Sequence, residues 1–257
     1  MAERPRLTVF MPAYNEEGGL ERSVELLRGA LAELEPSHEI LVVDDGSHDG
    51  TPALADALAA RHPDVRSVHH SVNRGIGGGM VTAIAEARGE WLILIPADLA
   101  IDLPEIGKYL AASVSADIVV GVRSDRSDYS GFRLLVSWVN IRLIQLLFGM
   151  RLRQFNYISM YRVDLLRNMR IDSWRSAFFF AEILIRAARA GCRLVEVEVT
   201  YRARSSGAAT GANWGFIART VREMLSFWWR IVRCDPALGI TDARMCAQRD
   251  GESGYER

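Results

Sequence analysis

Four apolar runs early in the chain each stop abruptly at polar residues, and helical periodicity fills every gap between them. The runs are "RLTVFMPAY", "HEILVVDDGS", "VRSVHHS" and "EWLILIPAD". Between them, "EEGGLERSVELLRGALAELE", "GTPALADALAARH" and "GGGMVTAIAEARG" carry apolar residues at helical spacing. Apolar strands separated by helices predict a mostly parallel sheet covered on both faces, an α/β fold. Ligands of such sheets bind beyond the carboxyl ends of the strands. The groups delivered there are Tyr14-Asn15-Glu16, Asp44-Asp45-Gly46-Ser47, Asn73-Arg74-Gly75 and Asp98. Four consecutive strand ends with polar groups at one edge predict a site.

The second half reads differently. "ADIVVGVRS" is a further strand, followed by a polar turn "DRSDYSG" and a long helix through "FRLLVSWVNIRLIQLLFG". "YISMYRVDLLRN" reads as a short strand and turn, and "FFFAEILIRAARAG" as a helix closed by Gly191. "CRLVEVEVTYRAR" alternates as a strand with one polar face, "SSGAATGAN" is a small-residue loop, and "WGFIARTVREMLSFWWRIVR" is an amphipathic helix. Beyond Pro236 the chain turns polar. The expectation is one domain over residues 1–235 and a disordered tail over 236–257.

Of the 257 residues, 49% are hydrophobic and 25% charged, which suits a folded core, and the net charge of −1 offers no general attraction to nucleic acid. Lys108 is the only lysine; arginine supplies the other positive charges and can grip phosphate with a two-pronged fork. Cys192, Cys234 and Cys246 have neither disulfide-framework nor metal-ligand spacing, so buried or free thiols in a reducing cytosol are expected. The N-terminus lacks the apolar core of a signal peptide. The longest apolar stretch, "LLVSWVNIRLIQLLFGM", is broken by Asn140 and Arg142, so no transmembrane helix is expected. These features predict a soluble cytoplasmic enzyme whose membrane contact is at most peripheral.

"NRGIGGGMVTA" invites comparison with a dinucleotide fingerprint and fails it, because Met80 stands where the last glycine belongs and the segment follows the third strand. Its glycines could still let backbone approach a ligand closely. "VVDDGSHDGT" fits two readings. One is a turn whose Asp and Ser cap the next helix; in the other, Asp44 accepts hydrogen bonds from a nucleobase.

Together, "VFMPAYNEE", "EILVVDDGSHDGT", "NRGIGGGMVTAIAEARGE" and "WLILIPADL" resemble glycosyltransferase family 2 in order and spacing, and within it the dolichol-phosphate and polyprenol-phosphate mannosyl- and glucosyltransferases. The resemblance runs from about Leu7 to Arg233. It implies a GT-A fold with a Rossmann-like sheet flanked by helices, a nucleotide-diphosphate sugar donor, and inversion at the anomeric carbon. By the same resemblance, Pro12, Tyr14, Glu16 and Asp44 hold the base and ribose, and Ala97 and Asp98 lie at the donor diphosphate. Arg204 matches a loop arginine that reaches the donor, and Arg123, Arg133 and Ser137 match residues that bind an acceptor phosphate. GDP is the favoured nucleotide on the likeness to mannosyltransferases.

The pattern breaks where the family carries Asp-x-Asp, usually with a glutamine two residues later. Here these positions are Pro96, Asp98 and Ala100. A hard cation wants about six oxygens, so Asp98 alone predicts a weak or absent Mg²⁺ or Mn²⁺ site. The Arg-x-x-Gly-x-Ser-Lys loop carries Ala209 and Thr210 in place of its serine and lysine, and "RQFNYISMYR" replaces Asp-x-x-Ser-Gly-Phe-Arg. Asp98 and Arg204 are the candidate catalytic residues, and Glu182 is a candidate acceptor-side carboxylate. The favoured acceptor is a polyprenyl phosphate. A soluble small molecule with an O, N or S nucleophile is the alternative, and a non-catalytic nucleotide-sugar-binding module the second; homo-oligomerisation is left open.

Overall fold

The computed structural model describes residues 4–124, 131–200 and 214–233, apart from the side chains of 132, 133, 214 and 216. Arg204, the side chain of Arg133, the small-residue loop and the tail over 236–257 therefore lie outside the described residues.

Seven strands form one sheet: β1 (Leu7–Ala13), β2 (His38–Asp44), β3 (Val65–His69), β4 (Trp91–Leu94), β5 (Ile118–Arg123), β6 (Ser159–Arg162) and β7 (Leu194–Val199). Their spatial order is β3-β2-β1-β4-β6-β5-β7. All neighbours are parallel except β6, which runs against both β4 and β5. The sheet is thus a mostly parallel α/β sheet with one reversed strand. Strand direction is set by tertiary pairing rather than local sequence, so "YISM" predicts a strand without revealing its sense.

Alternation along β1 sorts its side chains onto two cores. Leu7, Val9 and Met11 pack with Leu20, Val24, Leu27 and Leu31 of α1 (Leu20–Leu34). They share that face with Ala55 and Leu58 of α2 (Thr51–Arg61) and with α4 (Ile106–Ser113). Phe10 points the other way, toward α3 (Gly75–Glu86), α5 (Gly131–Phe148), α6 (Val163–Arg167), α7 (Phe178–Arg189) and α8 (Trp214–Val232). Each of these fully buried aliphatic or aromatic side chains contributes about 1.5–3 kcal/mol. Phe148, Phe178 and Phe227 tie α5, α7 and α8 together with ring centroids 5.6–5.9 Å apart. The helix α4 carries no strong signal in "LPEIGKYLAAS"; its length of 8 residues gives periodicity little room to show.

Two glycines of α3, Gly77 and Gly79, bring the helix onto its neighbours. A Cβ on Gly77 would overlap the Trp174 carbonyl oxygen, and one on Gly79 would lie 3.0 Å from the Phe10 ring. Cys192 is disulfide-bonded, which corrects the expectation of a thiol there. No pairing of these cysteines is legible from sequence spacing alone. Among the described residues no helix is long and apolar enough to cross a membrane.

Because backbone is the obstacle at Gly77, the substitution Gly77→Ala forces α3 away from the Trp174 loop. We expect a loss of about 1–3 kcal/mol, read as a lower urea midpoint at unchanged slope.

Candidate active site

The sheet opens where β1 and β4 part. Ile95 donates to the Phe10 carbonyl at 2.9 Å, and the β1–β4 register ends at Phe10 and Leu94. By the two-residue period of a strand, Pro12 turns its backbone toward β4 as Phe10 does, and proline has no N–H to extend the ladder. β2 and β3 lie on one side of β1, β4 and its successors on the other. The crevice is therefore the topological switch point at which such sheets bind ligands.

The loops around it are interlocked. After β1, Asn15 adopts φ 54°. Its N–H donates to Ser47 Oγ (2.9 Å), its Oδ1 accepts from His48 N–H (2.9 Å), and Glu16 N–H donates to the buried Thr51 Oγ1 (2.8 Å). Tyr14 is 42% exposed at the rim. After β2, Gly46 has φ +75°, and a Cβ there would lie 2.8 Å from the Val72 carbonyl carbon. Only glycine suits both the conformation and the close approach of the third strand's loop. Asp45 clamps that loop by accepting from Arg74 N–H (2.8 Å) and Gly75 N–H (2.7 Å), with His70 Nδ1 at 2.7 Å. So of the two adjacent aspartates, Asp45 builds the turn. Asp44, 2% exposed, accepts from Ser47 N–H at 3.1 Å and meets His69 Nδ1 at 3.2 Å.

After β4 the chain makes a tight turn. Leu99, at φ 47°, donates to the Pro96 carbonyl (2.9 Å), and Asp98 Oδ1 accepts from Ala100 N–H (3.2 Å). Ser23 Oγ holds the Ala97 carbonyl at 2.5 Å. Among the described residues no three His, Cys, Asp or Glu side chains gather where a metal ion could bind. At this strand end Asp98 is the one carboxylate between Pro96 and Ala100, and one of its oxygens already serves the turn. This donor set does not make a divalent site from protein atoms alone.

A second feature lies at the same edge. Because β6 is reversed, the segment before it returns to the carboxyl end of β5. There Arg123, Ser137, Asn140, Gln154, Asn156 and Tyr157 line a cavity of ≈ 70 Å³, room for a few waters or a small anion. Arg123 is 7% exposed, and its carbonyl accepts from Gln154 Nε2 at 3.0 Å. Tyr109 Oη and Gly121 N–H both donate to the Ile158 carbonyl, at 3.1 and 3.0 Å, which fixes the returning segment from below. Tyr157 Oη donates to the Ala100 carbonyl at 3.4 Å, so this cavity adjoins the Asp98 turn. Arg123 and Ser137, far apart in sequence, are thus brought to one cavity. Gln154, Asn156 and Tyr157 join them from the altered "RQFNYISMYR" segment.

Two neighbouring side chains are employed elsewhere. Arg153 pairs with Glu196 (3.3 Å) and Glu198 (2.5 Å) on the polar face of β7. Glu182 is fully buried, accepts from Asp172 N–H (3.1 Å), Ser173 N–H (2.8 Å) and Ser173 Oγ, and pairs with Arg186 Nε (2.8 Å). Its carboxylate is a structural anchor beneath α7, which corrects the acceptor-side expectation. The signal was present in the i, i+4 spacing of Glu182 and Arg186. We expect Glu182→Gln to lower the melting temperature, since breaking a buried pair costs about 3–5 kcal/mol, while nucleotide affinity of the folded protein holds.

The Glycosyl transferase family 2 model matches residues 8–184. Undecaprenyl-phosphate mannosyltransferase of Micrococcus luteus is 29% identical over 236 residues, 83% of this chain and 96% of that relative. Undecaprenyl-phosphate 4-deoxy-4-formamido-L-arabinose transferase of Klebsiella pneumoniae is 31% identical over 205 residues, 79% of this chain. The chain spans only 61% of that relative's length, and 37% of glycosyltransferase AglD of Haloferax volcanii. In structure, glucosyl-3-phosphoglycerate synthase of Mycobacterium tuberculosis, solved with Mn²⁺, UDP and phosphoglyceric acid, aligns with TM-score 0.67 at 19% identity. The alignment covers 87% of this chain and 78% of that one, and it establishes a GT-A-like fold.

Proposed function

Because the chain belongs to glycosyl transferase family 2, and is a glycosyltransferase, we propose that it moves a sugar from a nucleotide-diphosphate donor in the β1/β4 crevice to a polyprenyl-phosphate acceptor. The observation that carries this reading is the meeting of Arg123 and Ser137 in a cavity adjoining the Asp98 turn. A buried guanidinium beside a hydroxyl is suited to a phosphate monoester, and the adjoining turn is where the resemblance puts the donor diphosphate. Two of the relatives above are named for undecaprenyl-phosphate acceptors.

The chemistry is one in-line displacement. A phosphate oxygen of the acceptor attacks the anomeric carbon, the bond from that carbon to the donor diphosphate breaks, and its electron pair leaves with the nucleoside diphosphate. The attacking oxygen is already anionic, so no general base is required. Negative charge grows on the leaving diphosphate, and positive charge placed there supplies most of the rate enhancement. Arg204 is the residue proposed for that role; Asp98 stands at the same diphosphate as the carboxylate that would hold a cation there, with Pro12, Tyr14, Glu16, Asp44 and Ala97 around the rest of the donor. GDP is favoured as the nucleotide, and UDP is its competitor in a binding screen.

The acceptor's lipid tail calls for a membrane face. Leu134, Leu135, Trp138 and Val139 are exposed on α5, the helix that carries Ser137 into the cavity. Val221, Leu225 and Trp229 form an exposed stripe on α8, flanked by Arg222 and Arg233. Apolar stripes with tryptophan and arginine at their borders suit the headgroup region of a bilayer. Peripheral membrane binding through these stripes follows from the proposal.

The test is sugar transfer from GDP- and UDP-sugars to undecaprenyl phosphate in vesicles. Arg123→Ala should raise the acceptor KM or lower kcat by about 10- to 100-fold, the worth of hydrogen bonds to a charged group, with nucleotide Kd unchanged. Normal transfer by both Arg123→Ala and Ser137→Ala would move the acceptor elsewhere.

A second measurement concerns the cation. With Pro96 and Ala100 in place of two oxygen ligands, the initial rate in excess EDTA should stay close to that with added Mg²⁺ or Mn²⁺. Pro96→Asp should make the rate respond to metal. Complete loss of wild-type activity in EDTA, restored by either cation, would show that Asp98, diphosphate and water suffice to hold one.

A further inference from the structure

His69 ends β3 directly across from Asp44, which ends β2, and the two are partners in the strand register. Its Nδ1 lies 3.2 Å from Asp44 Oδ2, and its Nε2 lies 2.9 Å from Asp56 Oδ1 on α2. Each ring nitrogen therefore faces a carboxylate oxygen. A neutral imidazole has one N–H and one lone pair, so either tautomer would set a lone pair against a carboxylate. Only the imidazolium donates to both. Asp56 is held in turn by Ser67 Oγ, 2.6 Å from the same Oδ1. The chain of contacts runs from the buried Asp44 to the largely exposed Asp56, whose side chain is 64% accessible.

We propose that His69 is a positioning residue for the donor base: as an imidazolium bonded on both sides, it fixes the Asp44 carboxylate in the orientation that meets the nucleobase. The proposal rests on the reading that Asp44 receives the base. A carboxylate with 2% exposure has little water to orient it, so its direction is set by its protein partners. Ser47 N–H holds Oδ1 from the loop, and His69 holds Oδ2 from the neighbouring strand. Removing the second contact leaves the carboxyl group free to turn about its last torsion, and the base loses an aligned acceptor.

The same arrangement makes donor binding sensitive to pH. Burial by itself lowers the affinity of His69 for its proton, but hydrogen bonds and charge from Asp56 and Asp44 outweigh burial and raise the pKa above the ordinary 6.5. Those two carboxylates, one from β2 and one from α2, are the charged groups that act on the ring. Because the folded value lies above the unfolded one, the imidazolium contacts are complete below about pH 6.5 and are lost as pH rises through the raised folded value. Nucleotide affinity follows the same direction: it is tight on the acid side and weakens as the ring becomes neutral.

The experiment is calorimetric titration of the full chain with GDP and with UDP at a series of pH values, beside NMR titration of the His69 ring. Wild-type Kd should rise about 5- to 10-fold across the His69 transition, the worth of one hydrogen bond. His69→Gln should bind as weakly at low pH as wild type does at high pH, with no such transition. Asp56→Asn changes the exposed end of the chain and leaves the buried carboxylate in place, so it should keep the fold and move the wild-type midpoint to lower pH. Asp44→Asn should weaken binding and lower the His69 pKa. If Asp44→Asn leaves nucleotide affinity intact, the base-binding role of Asp44 fails and the proposal fails with it. If Asp44→Asn weakens binding while His69→Gln keeps wild-type affinity and pH profile, the role of Asp44 stands and the positioning role of His69 is overturned.

Discussion

The hydrogen bond from Ile95 to the Phe10 carbonyl is the last rung between β1 and β4, and the functional edge begins where it ends. Pro12 lies two residues further along β1 and Pro96 one residue further along β4. By the two-residue period it is Pro12 that would give β4 its next N–H, and proline has none, so this ladder cannot continue and the strands part. On the far side of β4, the reversed strand β6 brings residues 154–158 back to the same edge. A parallel strand there would have sent that segment to the opposite end of the sheet. The crevice and the cavity that adjoins it both follow from where backbone pairing stops and from which way one strand runs.

The loops at that edge are held by backbone donors on side-chain acceptors, a rigid kind of joint. Asn15, Ser47, Thr51 and Asp45 each take or give such a bond across two loops. Every bond formed in the free protein is an ordering cost that ligand binding does not meet again. The division of labour between the paired aspartates follows from this. Asp45 gives both oxygens to the third loop, and Asp44 is held by Ser47 and His69.

The first three strands and helices were legible because each is a local pattern: an apolar run of period two, or apolar residues spaced three and four apart. The fourth run was legible as a strand, but its end was not. "WLILIPAD" reads as continuous, but the strand stops at Leu94, where its pairing with β1 ends. The motifs located the β1/β4 crevice, since strand ends can be counted from sequence. They could not show that Gln154, Asn156 and Tyr157 complete the second cavity, because that depends on the direction of β6. Glu182 was misread for the opposite reason. A carboxylate in an apolar helix looks available until its partners, Arg186 at i+4 and the backbone of Asp172 and Ser173, are found around it. The disulfide at Cys192 had no sequence signal of spacing at all.

The substitution at Pro96 changes the charge balance of the edge as well as its ligands. A carboxylate about 4 Å from a diphosphate oxygen repels it by about 4 kcal/mol at an effective dielectric near 20. Two carboxylates at this turn would oppose the donor twice over unless a cation lay between, which is why a paired site and a metal go together. With proline at the first position, one of those two repulsions is absent from the start. Asp98 further directs an oxygen at the N–H of Ala100, and such a bond draws part of its charge away from the ligand side. Both effects act in one direction, lowering the positive charge that a bound diphosphate needs from its surroundings. On the proposed function Arg123, nearly buried at the carboxyl end of β5 in the cavity that adjoins this turn, sets its positive charge against the acceptor phosphate, where exclusion of water keeps it effective. On that reading the two phosphates are balanced separately, the donor's at a turn with one carboxylate fewer and the acceptor's by a shielded guanidinium.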